Sequence, residues 1–171
     1  LRIEFTWNGR TENVEGEYNT DYFKKVMDVA KDNEMSVTAL LAYNNSLYSS
    51  NTKGAIDTQE ERTAFVNYAK AIVSAYPEIK KVEIWNEPNH PDFWENGASV
   101  IGETDIANYT LLVKEVSAAL KAISPDINVY AGAIDVSKEA IEYVEGMLEN
   151  GVYEYMDTLS YHPYYHPNNV D

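Results

Sequence analysis

Cysteine is absent from the chain, which removes disulfide scaffolds and thiolate metal sites and leaves the redox compartment open. Long apolar runs are missing too: no stretch approaches the roughly 18 residues that a membrane-spanning helix needs. Positive charge is scarce. Against 28 Asp and Glu stand 13 Lys and Arg, a formal charge of −15, and a surface so acidic repels phosphate backbones and anionic lipid head groups. Neither nucleic acid nor a membrane is an expected partner. The chain also lacks G-x-G-x-x-G and G-x-x-x-x-G-K-[ST], the phosphate loops that a doubly wound nucleotide-binding sheet carries after its first strand. What is present, 171 residues with 44% hydrophobic and 24% charged side chains, has the composition of one globular domain.

Segments of strand character alternate with segments of helical period. Strands are expected over 1–7, 36–43, 80–85, 127–132 and 157–161. A first helix, about 21–33, puts Phe23, Val26, Met27 and Ala30 on one face, with Asp21 or Thr20 as N-cap. A second, about 59–75, follows Thr58-Gln59-Glu60-Glu61, which fits a capping box. The third, about 105–123, repeats Ile106, Tyr109, Val113, Val116, Leu120 and Ile123 at helical spacing, and Pro125 prevents its continuation. A fourth begins after Ser137, is expected to bury Ile141, Val144 and Leu148, and stops at Asn150-Gly151, where Gly can take the left-handed C′ conformation. This order is that of an α/β protein built from βαβ units. Polar and aromatic residues gather at the strand C-termini, from Trp7-Asn8 through Trp85–Asn89 to Tyr161–His166. In a (β/α)8 barrel all such ends open on one face, where active sites assemble.

Among these tips, Trp85-Asn86-Glu87-Pro88-Asn89 carries the chemistry. Glu87 follows directly on a strand, and Pro88 disfavours the helical region for it, so an extended backbone is expected there. The Asn86 amide can donate to a sugar hydroxyl, which Asp or Leu could not do. Asn-Glu-Pro arises by chance in roughly 2% of chains this long, so its position at a strand tip adds most of the weight.

With these residues the sequence resembles the clan of retaining glycoside hydrolases that carry an Asn-Glu pair at the tip of barrel strand four. Leu1-Arg2-Ile3-Glu4-Phe5 matches the clan's strand-two arginine, and Ser160-Tyr161-His162-Pro163-Tyr164 matches its strand-six His-x-Tyr pair. Glu-Ile-Trp-Asn-Glu-Pro-Asn together with Tyr-His-Pro-Tyr looks most like family 39. The resemblance implies a partial TIM barrel of about five βα units in eight, residues 1–171 forming strands two to six of one catalytic domain. Strand one would precede Leu1, and the nucleophilic glutamate, on strand seven, would follow Asp171. It implies Glu87 as general acid/base for a β-linked oligo- or polysaccharide, with Asn86, Arg2, His162, Tyr164 and Trp94 as substrate-binding residues. No cofactor and no metal are implied, and an extracellular location is.

Several residues have plainer readings. His162 and His166 are four apart, but such a pair converges on a metal only on a helix, and Pro163 and Pro167 make this segment extended or turned. Trp94, in the long loop from His90 to Thr104, is the best candidate for stacking on a sugar face; Trp7, Trp85 and Tyr43 could equally be core. A non-catalytic carbohydrate-binding barrel is the alternative function. Five strands of eight leave sheet edges unpaired, so oligomerisation through those edges is expected of the piece in isolation, and catalysis is not.

Overall fold

In a computed structural model, which describes residues 1–51, 54–97, 100–137 and 139–163, the five expected strands lie side by side. With elements numbered in chain order, they are β1 (Arg2–Thr6), β4 (Thr38–Ala42), β5 (Lys81–Ile84), β6 (Asn128–Ile134) and β7 (Thr158–Tyr161). All pairings are parallel in the order β1-β4-β5-β6-β7, with Arg2 opposite Thr38, Thr38 opposite Lys81, and Lys81 opposite Asn128. Each connection steps one place in the same direction. Right-handed crossovers of this kind leave every helix on one side of the sheet, as in a segment of a (β/α)8 barrel.

Alternation along the strands sorts the side chains. Phe5, Ala39, Leu41, Val82, Ile84, Val129 and Ala131 point to the helices and join Phe65, Tyr68, Ile72, Val113 and Val116 in one buried core. The helices are α1 (Lys24–Asp32), α2 (Gln59–Ala75), α3 (Glu103–Ile123) and α4 (Ala140–Glu149). At the start of α2 the Glu61 amide donates to Thr58 Oγ1 at 3.2 Å and the Thr58 amide donates to Glu61 Oε2 at 3.0 Å, the capping box read from the sequence. For α3 the Gly102 amide donates to Asp105 Oδ2 at 2.8 Å. None of these helices is long and apolar enough to cross a membrane.

Two helices depart from expectation. The first is split into a 3-10 turn over Thr20–Phe23 followed by α1, and neither Thr20 nor Asp21 caps it. The Tyr76 hydroxyl donates to the Thr20 carbonyl at 2.6 Å, and the Lys24 amide donates instead to Asp21 O, which tightens the turn. In α4, Ile141 and Leu148 are 72% and 42% exposed, and the buried residues are Tyr143 and Met147. Val144 is half-buried against the core, and Gly146 stands on the inward face with Tyr143 and Met147. A Cβ at Gly146 would stand 3.0 Å from Ile106 Cδ1, so α3 and α4 approach closely along the glycine, while Ile141 and Leu148 lie on the other side of the helix. Gly151 has φ 78°, the left-handed C′ position expected.

A hairpin not expected from the sequence, β2 (Glu12–Val14) and β3 (Glu17–Tyr18), follows β1. Its anchor is the buried Glu12 carboxylate, which accepts from Trp7 Nε1 at 2.6 Å, Tyr48 Oη at 2.8 Å and the Gly16 amide at 2.8 Å. Between β5 and β6 the ladder runs only as far as Glu83 and Tyr130. Beyond it the buried Tyr109 of α3 inserts its hydroxyl, donating to Ile84 O at 2.8 Å and accepting from the Gly132 amide at 2.8 Å.

Candidate active site

The tip of β5 is a left-handed stretch rather than the extended one expected. Trp85 has φ 68° and Glu87 φ 48°, and Ala133 at the facing end of β6 has φ 46°. Such conformations in residues with a Cβ cost about 1–3 kcal/mol each and persist only where surroundings hold them. Several bonds do so here. The Trp85 amide donates to Leu41 O at 2.9 Å, the Glu87 amide to Ala133 O at 3.2 Å, and the His90 amide to Glu87 O at 2.9 Å. Asn89 ties this tip to the loop after β6: its Nδ2 donates to Asp135 Oδ1 and, at 3.0 Å, to Ser137 Oγ, while its Oδ1 accepts from the Asp135 amide at 3.1 Å.

Held this way, Glu87 meets residues from both ends of the chain. Glu87 Oε1 lies 2.8 Å from His162 Nδ1, and His162 Nε2 lies 3.2 Å from a terminal Arg2 nitrogen. That same Arg2 nitrogen donates to Asn86 Oδ1 at 3.2 Å, and Arg2 Nε donates to Glu83 Oε2 at 2.5 Å. The side chains of Glu87 and His162 are 13% and 10% exposed, Glu83 4% and Arg2 41%, so the group opens to solvent on the Arg2 side. Four of the six residues anticipated as a site, Arg2, Asn86, Glu87 and His162, thus converge. Tyr164 lies outside the described residues.

Trp94 requires a correction. It has no exposed surface and packs edge-on between Trp85 at 5.1 Å and Tyr109 at 5.7 Å between ring centroids, inside the core rather than above a sugar subsite. Trp7 and Trp85 are equally buried. The aromatic residue that does reach the group is Tyr43. Burial pushes its phenol up to about 12, the negative charges of Glu4 and Glu87 add to the effect, and Arg2 with a hydrogen bond from Asn86 opposes it. It therefore stays a neutral hydroxyl at physiological pH. Glu83 was not anticipated, although its signal was available: in Lys81-Val82-Glu83-Ile84 the strand period puts it on the face opposite the core-directed Val82 and Ile84.

A cleft of about 580 Å³ lies nearby, lined by Asn89, His90, Glu103, Tyr143 and Gly146 among others, but Glu87 does not border it. Among the described residues no three His, Asp or Glu side chains come together as a metal site would need. The arrangement built around Glu87 has instead the parts for proton transfer. A carboxyl group is oriented by an imidazole, beside an amide and a hydroxyl that can bind a polyhydroxylated ligand.

No family model and no curated protein matches the chain. Solved structures do, and family 39 glycoside hydrolases are among them. A family 39 glycoside hydrolase from the gut symbiont Bacteroides cellulosilyticus WH2 aligns with a TM-score of 0.72 at 21% identity, over 97% of this chain and 33% of that one. The family 39 enzyme from Xanthomonas axonopodis pv. citri gives 0.69 at 19% identity, over 94% and 34%. A monomeric beta-xylosidase from Caulobacter crescentus CB15 gives 0.69 at 18%, over 95% and 35%. The chain spans about a third of the length of these proteins, and what it shares with them is the fold.

Proposed function

We propose that the chain carries the acid/base part of a glycoside hydrolase site that cleaves β-linked sugars with retention of configuration. The observation that supports this most directly is Glu87 at a strand tip, hydrogen-bonded to His162 and flanked by Asn86 and Arg2, on a fold shared with family 39 enzymes. In the first step protonated Glu87 gives its hydrogen to the glycosidic oxygen as the C–O bond breaks, and the alcohol departs neutral. A second carboxylate attacks the anomeric carbon from the other side, forming a glycosyl ester. In the second step Glu87, now ionised, takes a proton from the water that hydrolyses this ester.

Retaining geometry needs the two carboxyl groups about 5–5.5 Å apart. In this reading the nucleophile comes from a further barrel strand outside the 171 residues. Asn86 accepts from Arg2 through Oδ1, which turns its Nδ2 hydrogens toward Tyr43 and a substrate hydroxyl.

The test uses a polypeptide that contains these residues and the nucleophile-bearing strand. Glu87→Ala should lower kcat/KM by about 10²–10⁴-fold on glycosides with poor leaving groups and much less on those with very acidic ones, which depart without a proton. Equal losses on both series would remove Glu87 from the donor role. The 171-residue chain alone should hydrolyse nothing; turnover by it that Glu87→Ala abolishes would refute an external nucleophile.

A further inference from the structure

Arginine brings five N–H donors and no acceptor, and it keeps its proton at any physiological pH. One terminal Arg2 nitrogen stands 3.2 Å from His162 Nε2. Were Nε2 protonated, two donors would face each other, and in an imidazolium two positive charges as well. The contact is attractive only if Nε2 presents its lone pair. In a neutral ring the hydrogen then sits on Nδ1, the atom 2.8 Å from Glu87 Oε1.

We propose that Arg2, anchored by the buried Glu83 carboxylate, fixes His162 as the neutral Nδ1–H tautomer, so that the imidazole donates to Glu87 Oε1 and positions that carboxyl group. This rests on the reading of Glu87 as the acid/base. Arg2 is suited to the task because three bonds hold its head: Nε to Glu83 Oε2 at 2.5 Å, and one terminal nitrogen to both Asn86 Oδ1 and His162 Nε2 at 3.2 Å. Glu83 is almost fully enclosed, so its charge faces Arg2 with little competition from water.

The tautomer decides what Glu87 can do with its proton. With Nδ1–H donating to Oε1, the acidic hydrogen of protonated Glu87 resides on Oε2, free to pass to a glycosidic oxygen. In the opposite tautomer Nδ1 would be an acceptor and would hold that hydrogen on the Oε1 side, turned away from substrate. Arg2 and Glu83 are thus positioning residues: neither exchanges the proton, and both determine which oxygen carries it.

Ring-nitrogen NMR reads the tautomer without any turnover. The ¹⁵N-labelled protein has three histidines, and loss of one spin system in His162→Gln identifies the relevant one. In the unmutated protein His162 should show a protonated Nδ1 and an unprotonated Nε2. Arg2→Met should abolish that pattern in favour of a tautomer mixture or the Nε2–H form, Arg2→Lys should restore part of it, and Glu83→Gln should weaken it. A protonated Nε2 on His162 in the unmutated protein overturns the proposal, and that reading does not require the Arg2 or Glu83 variants to fold. An Nδ1–H pattern that survives Arg2→Met overturns it as well. Failure of the leaving-group series with Glu87→Ala would strike the catalytic reading and leave the spectrum as it is; a wrong tautomer with normal leaving-group behaviour would strike only the positioning role of Arg2.

Discussion

On the side of the sheet that meets the helices, Phe5, Ala39, Leu41, Val82, Ile84 and Val129 have no exposed surface at all. The opposite side presents Arg2, Glu4 and Thr6 on β1, Glu83 on β5, Tyr130 on β6 and Ser160 on β7, with Leu40 and Ala42 of β4 as its apolar members. One residue step along a strand separates the two populations. The lesson is a division of labour. Apolar burial against α2 and α3 supplies the free energy that fixes the strands, and the strands hold charged groups at spacings those groups would not choose in water. Stability and chemistry should therefore respond to different substitutions.

Phe65→Ala breaks the comparison on its stronger side. The ring is wholly buried against Trp7 and Trp85, so its loss should cost about 3–5 kcal/mol, read as a lower urea midpoint. Tyr109→Phe is subtler, because the ring stays while the Ile84 carbonyl and the Gly132 amide lose their shared partner. About 1–3 kcal/mol is expected, again by urea unfolding.

Asp157→Asn probes the rim, where Lys121 of α3 and the Val129 amide of β6 both donate to the Asp157 carboxylate. Burial alone would raise its pKa; the Lys121 hydrogen bond and charge, with the Val129 amide, outweigh that and lower it. A carboxylate whose folded-state pKa is depressed contributes stability above the ordinary Asp value, and that contribution is lost as pH falls through the folded value. Hence the unmutated protein should exceed Asp157→Asn at neutral pH by less than about 1 kcal/mol, both side chains being a third exposed, and the gap should close below about pH 4. Thermal melts at several pH values would check this; a gap that widens in acid would contradict it. The smallest effect belongs to the open face: Glu4→Gln should change stability by no more than about 0.5 kcal/mol, since Glu4 is exposed and its carboxylate accepts from the Thr6 hydroxyl two residues on.

Much of the frame was legible. All five long-range strands, the Thr58–Glu61 box and the Gly151 stop depend on local pattern, and each stands where that pattern put it. The β2–β3 hairpin did not announce itself, because Glu12-Asn13-Val14 has little strand character and its order comes from Trp7 and Tyr48 closing on Glu12. The inward face of α4 runs through Gly146, which carries no hydrophobic signal. At the site, Asn86-Glu87 and His162 were readable as motifs. Tyr43 was only one of several aromatic residues that could equally have been core, and Glu83 was not singled out, since its part depends on how far Arg2 reaches across the sheet, a fact of register and not of spacing. Trp94 misled because an aromatic residue in a loop reads the same whether it faces solvent or, as here, Trp85 and Tyr109.

The Gly132 amide, bonded to the Tyr109 hydroxyl of α3 where the Asn128 amide at the start of the same strand bonds to the Lys80 backbone carbonyl, gives the molecule an internal reporter. Its deuterium uptake is governed by whether α3 is seated. Should α3 lift while the strands stay paired, this amide would exchange ahead of that of Asn128, and a time course at the two backbone positions would separate helix detachment from opening of the sheet.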